Sequence, residues 1–125
     1  IRALFAGDEL YQWGVALPDE GTVIGTCTLT SFHAESGRAE IGFALGREHR
    51  GRGYMSDAVA GLLDYAFGPL GLRRLEADVD PRNGPSLRLL ERMGFRREGL
   101  LRERWVTGGE VQDSIFMGLL RHDRR

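Results

Sequence analysis

Apolar and polar positions change their period near the middle of the chain. Before residue 46 the pattern alternates in short β-branched runs. Trp13–Leu17, Thr22–Phe32 and Ala39–Leu45 read as three strands, separated by the turn signals Pro18-Asp19-Glu20-Gly21 and Glu35-Ser36-Gly37-Arg38. Short turns between successive strands predict an antiparallel meander. The first eleven residues are ambiguous: Leu4, Phe5, Leu10 and Tyr11 also fit the tail of a helix. After residue 53 the period becomes helical. Met55, Ala58, Val59, Leu62, Leu63, Ala66 and Phe67 mark one face, with Ser56 or a neighbour as the cap and Gly68-Pro69 as the stop.

Leu72–Val79 reads as a further strand, so a right-handed crossover with parallel pairing is expected around the helix. Pro85 suits the first turn of a short helix, Ser86–Met93, which Gly94 ends. Leu100–Thr107 and Val111–Leu120 flank Gly108-Gly109, a hairpin signal, and the tail Arg121–Arg125 is expected to fray. Together these elements predict an α+β fold: a mixed, mostly antiparallel sheet with helices packed on it.

The change of period falls at Arg50-Gly51-Arg52-Gly53-Tyr54-Met55. Two glycines at a strand-to-helix turn let several N–H groups converge, and the helix start adds unpaired donors and partial positive charge. This is a socket for a phosphate or pyrophosphate. A P-loop needs a lysine after its last glycine, and the chain contains no lysine. A dinucleotide fold can use Gly51 and Gly53, with Ser56 in place of the third glycine and Glu76 or Asp78 as the acid. It should begin with the glycine-bearing strand, however, and continue through parallel units.

An acyl-CoA site is the third design, and here the sequence resembles the GNAT acyltransferase superfamily. Arg50 to Met55 matches Arg/Gln-x-x-Gly-x-Gly/Ala, with Met55 departing at the last position. Tyr54-Met55 is similar to the branch that includes ribosomal-protein N-terminal acetyltransferases. Further matches are Ala39-Glu40-Ile41-Gly42-Phe43-Ala44-Leu45, Asn83-x-x-Ser86-x-x-Leu89-Leu90-Glu91-x-Met93-Gly94-Phe95 and Glu98-Gly99-Leu100-Leu101-Arg102. The resemblance runs from about Trp13 to Leu120 and implies a GNAT-like three-layer fold, with a parallel, splayed central strand pair between flanking helices. The further strand and helices that members carry at the N-terminus have no counterpart in this pattern.

The resemblance implies acetyl-CoA as co-substrate and acetyl transfer to a primary amine, either a protein N-terminus or a small molecule, by direct attack. It places the pantetheine arm along the backbone of Phe43, Ala44 and Leu45. The pyrophosphate falls on the N–H groups of Gly51, Arg52, Gly53, Tyr54, Met55 and Ser56, with Arg50 and Arg52 adding charge. Asn83 is expected to reach the pantetheine or to shape its loop. Ser86 is the expected proton donor to the leaving thiolate, or only a helix cap. Glu40 is the candidate base, acting through water, or a surface carboxylate. A non-catalytic CoA-binding or regulatory module is the alternative, and a nucleotide-binding oxidoreductase domain a more distant one.

Length and composition bound the rest. The 125 residues suit a single domain, 1–125, possible as an N-terminally incomplete one because the chain opens on Ile1. A net charge of −1 argues against nucleic acid as the main partner, and no run of about 20 apolar residues exists to span a membrane. A cytoplasmic location is the default expectation. His33, His49 and His122 lie without carboxylate or Cys at ligand spacing, so no metal is expected. The single cysteine, Cys27, reads as a buried thiol, and Trp13 and Trp105 as core closers. Arg73-Arg74 and Arg96-Arg97 read as exposed strand-end charges, and the final hairpin as a candidate homodimer surface.

Overall fold

Alternation of small and β-branched residues up to Leu45 produces strands, as the pattern predicts. A computed structural model describes residues 2–6, 11–16, 23–45 and 53–124. The chain divides into two compact units, residues 1–73 and 74–125.

In the first unit four strands, β1 (Arg2–Ala6), β2 (Tyr11–Ala16), β3 (Val23–His33) and β4 (Arg38–Leu45), form an antiparallel meander in chain order. The ambiguous start is therefore strand and not helix tail: Arg2–Ala6 is held in a ladder to β2, and tertiary pairing overrides the helical spacing of its apolar residues. Register sets Cys27 opposite Phe43 and Leu29 opposite Ile41, so these residues share one face of the sheet. Val15, Cys27, Leu29, Ala39 and Ile41 are buried.

Helix α1 (Tyr54–Phe67) lies against β2 and β3 and buries Met55, Ala58, Val59, Leu62, Leu63 and Ala66, all of them on the predicted face. Gly68 ends it: its N–H bonds to Asp64 O at 2.9 Å, and a Cβ there would sit 2.7 Å from the same oxygen. Pro69 then blocks continuation. Each fully buried leucine contributes roughly 2 kcal/mol by removal from water.

In the second unit β7 (Glu110–Leu120) runs between β5 (Arg74–Val79) and β6 (Arg96–Thr107), antiparallel to both. Helix α2 (Gly84–Arg92) buries Leu87, Leu89 and Leu90. Leu75, Ala77 and Val79 alternate inward on β5 and pair with Leu119, Met117 and Ile115. The β6–β7 turn is the predicted Gly108-Gly109, with φ of 59° and 80°, the left-handed values that a two-residue type I′ turn needs.

Three expectations need correction here. The tail does not simply fray: Arg121–Asp123 forms a 3-10 turn, and Asp123 approaches Arg96 at 3.5 Å. Arg74 is not an exposed strand-end charge: only 18% of its side chain is exposed, and it makes paired bonds to Glu98 (2.7 and 3.1 Å) and one to Glu76 (2.9 Å). Trp105 closes no core. It is 49% exposed and gives its indole N–H to Asp78 at 3.1 Å.

Candidate active site

The glycine turn opens α1 as the period change predicts, but the cap is glycine itself. Gly53 stands at the N-cap with φ 79° and ψ −2°, a left-handed conformation that needs glycine, and makes no side-chain capping bond. Ser56, expected as the cap, is the third residue inside the helix. The first bond of the helix runs from Asp57 N–H to Gly53 O at 3.2 Å, so the amides of Tyr54, Met55 and Ser56 belong to its first turn. Among the described residues a Cβ on Gly53 would meet nothing within 4 Å. Arg50, Gly51 and Arg52 lie outside the described residues.

Tyr54 and Ser56 are half-buried, while Met55 turns its side chain inward, its sulfur 3.6 Å from the Cys27 thiol. Only the backbone of Met55 can therefore face a ligand. Cys27 is fully buried, and burial pushes its thiol up to about 12. At neutral pH it is a protonated, inert core group, as the sequence suggests.

On β4, Glu40, Gly42 and Ala44 share the face opposite to buried Ala39 and Ile41. Glu40 is half-buried and pairs in register with Thr30. Gly42 leaves no room for a side chain, since a Cβ would fall 2.9 Å from Thr28 Oγ1. Phe43 is half-buried and Ala44 exposed, and the backbone of Leu45 pairs with Gly25.

In the second unit the structure brings Asn83 and Ser86 together. Asn83 is the N-cap of α2: its Oδ1 accepts the Ser86 backbone N–H at 3.2 Å, and its own N–H bonds to Asp80 O at 2.8 Å. The capping role considered for Ser86 therefore belongs to Asn83. Among the described residues the Ser86 hydroxyl has no hydrogen-bond partner, and the residue is half-buried. The Asn-x-x-Ser spacing followed by an apolar run is a legible cap signal, with the asparagine as cap and the serine three residues on.

Sequence reading missed a polar group on β5 and β6. Asp78 is nearly buried, at 9% side-chain exposure, and takes the Trp105 indole N–H and the Arg104 Nε at 3.5 Å. Arg104 lies 5.1 Å from the Trp105 ring centre, a cation–π contact. Beyond it, Arg82 bridges Asp80 (2.9 Å) and Glu110 (2.8 Å), and the guanidinium bonds hold the Asp80 carboxyl below its ordinary range. Only the alternation of β5 hinted at this group.

The family model of the GNAT acetyltransferase domain matches residues 2–96. The chain belongs to the GNAT acetyltransferase family. This GNAT domain is 42% identical to an uncharacterized N-acetyltransferase, p20, of Bacillus licheniformis, over 98% of the chain and 69% of that protein. It is 28% identical to the ribosomal protein uS5-alanine N-acetyltransferase of Escherichia coli, over 90% of the chain and 59% of that enzyme. Among solved structures, a mutant form of the spermidine/spermine N-acetyltransferase SpeG of Vibrio cholerae superposes with a TM-score of 0.86 at 27% identity, covering 92% of the chain and 69% of that one. The chain thus spans about two thirds of the length of such relatives. Its α+β fold is the GNAT fold.

Proposed function

We propose that the protein is an acetyl-CoA-dependent N-acetyltransferase acting on a primary amine. The observation that carries this reading is the start of α1, where left-handed Gly53 opens the helix of a GNAT domain and a Cβ on it would meet nothing within 4 Å among the described residues. Backbone donors in such a turn suit a diphosphate, and a side chain at Gly53 would intrude where it lies. The residues that would hold the co-substrate are Gly53, Tyr54, Met55 and Ser56 through their amides, the β4 backbone at Phe43, Ala44 and Leu45, and Asn83. Arg50, Gly51 and Arg52 complete the set that the family pattern implies.

When bound, acetyl-CoA supplies a thioester carbonyl open to attack by an amine. The chain's own residues orient the acceptor and move protons. Most of the rate comes from holding the two reactants in contact. Glu40 receives, through water, the proton that the amine gives up. Ser86 Oγ–H, without another partner among the described residues, supplies the proton that the leaving sulfur takes.

Two of the three named relatives carry their acceptor in their names, an alanine of ribosomal protein uS5 in one and spermidine or spermine in the other. The test is therefore thiol release from acetyl-CoA with a panel containing spermidine, a peptide with free N-terminal alanine and smaller amines. Turnover with one class assigns the acceptor. Tight CoA binding with no turnover on any amine points instead to a CoA-binding module.

A further inference from the structure

Strand β5 turns Leu75, Ala77 and Val79 inward and so sets Asp78 on its other face, opposite Phe116 of β7. Trp105 of β6 lies opposite Gln112. Phe116 and Gln112 are four residues apart on β7, so Asp78 and Trp105 share one face of the sheet. With only 9% of its side chain exposed, the Asp78 carboxylate calls for a close counter-charge. What it has is a neutral donor, the Trp105 indole N–H at 3.1 Å on Oδ1, and a cation held off, with Arg104 Nε 3.5 Å from Oδ2. Elsewhere the chain closes such pairs: Arg74 meets Glu98 at 2.7 Å and Arg82 meets Asp80 at 2.9 Å, the usual range for a cationic N–H on a carboxylate.

Arg104 also covers the Trp105 ring, its Cζ 5.1 Å from the ring centre. The strand around it is irregular. Between Leu101 and Trp105 the register breaks, Glu103 adopts φ 52°, and its N–H bonds to Asp113 Oδ1 at 2.8 Å. Arg102, Glu103 and Arg104 thus form a charged bulge, and no register pairing holds Arg104 in place. A carboxylate beside an aromatic face is a combination that holds an organic cation, the acid by charge and the ring by its quadrupole. In the observed pose the broad guanidinium meets the ring but stands off from Oδ2. A primary ammonium is more compact: it can reach Oδ2 with an N–H while its alkyl stem lies on the ring.

We propose that Asp78 and Trp105 form a binding site for a primary alkylammonium, which Arg104 fills in the free chain as a displaceable internal cation. The inference does not rest on the acetyltransferase reading, which uses none of these three residues.

The probe is n-butylammonium, titrated without acetyl-CoA and followed by the Trp105 indole N–H signal in proton–nitrogen NMR. The chain has two tryptophans, and loss of one signal in W105F assigns the other to Trp13. The Trp105 signal should move saturably, and sodium at equal ionic strength should not move it. R104A empties the site and should tighten binding about fivefold, because the internal competitor is gone. R102A removes an equal charge from the same bulge without emptying the site, and should do much less. D78N should weaken binding at least about tenfold, with thermal melting to establish that each variant folds. No saturable movement in wild type and R104A overturns the proposal, as does an R102A protein that binds as tightly as R104A. The comparison of R104A with R102A decides the matter even where D78N does not fold. In turnover with a primary amine, a KM that falls in R104A while kcat holds identifies the bound ammonium as the acceptor, and an unchanged KM identifies it as a cation that is not acetylated.

Discussion

Asn83 and Ser86 are joined by one bond, Oδ1 to backbone N–H at 3.2 Å, which caps α2 and leaves the serine hydroxyl unspent. The two residues should separate by experiment. Asn83→Ala is expected to cost about 1 kcal/mol of stability through loss of the cap, seen as a lower Tm. Ser86→Ala should leave Tm and CoA affinity in place while kcat falls about 100-fold, the lower range for general acid–base catalysis. Wild-type turnover in Ser86→Ala would reduce the serine to helix surface.

At Gly53 strain and bulk can be told apart. A non-glycine residue at φ 79° costs about 1–2 kcal/mol whatever its size. Among the described residues no neighbour opposes the added Cβ. Gly53→Ala should therefore lower Tm modestly. Gly53→Val should in addition weaken CoA binding by more than about tenfold in calorimetry, because its bulk enters the space proposed for the diphosphate. Equal affinities in folded Ala and Val variants would remove the ligand from this turn.

Gly118 lies under the Arg74–Glu98 pair. A Cβ there would fall 2.5 Å from Glu98 Oε2 and 2.7 Å from an Arg74 nitrogen. Gly118→Ala is expected to push these flexible side-chain ends aside and loosen the pair, at a cost of no more than about 1 kcal/mol for a partly exposed ion pair, and chemical denaturation reads it directly.

The same pair sets an acid dependence. Hydrogen bonding from Arg74 holds the Glu98 carboxyl below its ordinary range. Its contribution is present above the unfolded-state value, near 4.3 for a glutamate, and is lost as pH falls through the depressed folded value. Glu98 is 39% exposed, so solvent screens the pair and the contribution is small. Glu98→Gln should melt below wild type at pH 7, and the two curves should converge in acid. A gap that persists in acid once pH has fallen through the depressed folded value would mean the loss is one of packing.

Cys27 should resist alkylation in the native protein at pH 8 and react fully in denaturant, since it is fully buried and its thiol is pushed up to about 12. Its raised value favours the folded state below the ordinary thiol value. That advantage fades as pH rises toward 12, so Cys27→Ala should show a shallower loss of stability in alkali. Rapid native labelling would contradict the buried placement.

Much of the fold was legible because its signals are local. The α1 face repeats at helical spacing, β5 alternates, and Gly108-Gly109 meets the sign of φ that a tight hairpin demands. Asn83 and Ser86 were legible as a pair, but the cap belongs to Asn83 and not to Ser86. Arg2–Ala6 was not legible, because a short segment with helical spacing becomes a strand only when β2 pairs with it. Trp105 was misplaced because large aromatic residues usually close cores. Here it stands on an edge strand and bonds to Asp78, 27 residues away.

The sequence by itself determined the order and type of most elements, the glycine turn that precedes α1 and the pattern of a GNAT domain, since each is written in spacings of two to four residues. Tertiary structure alone decided what strand register brings together: the Arg74–Glu98 pair over Gly118, the Asp78–Trp105 bond and the charged bulge at Glu103. Shifting one strand by a single residue would turn those side chains to the opposite face, and no local pattern records which register wins.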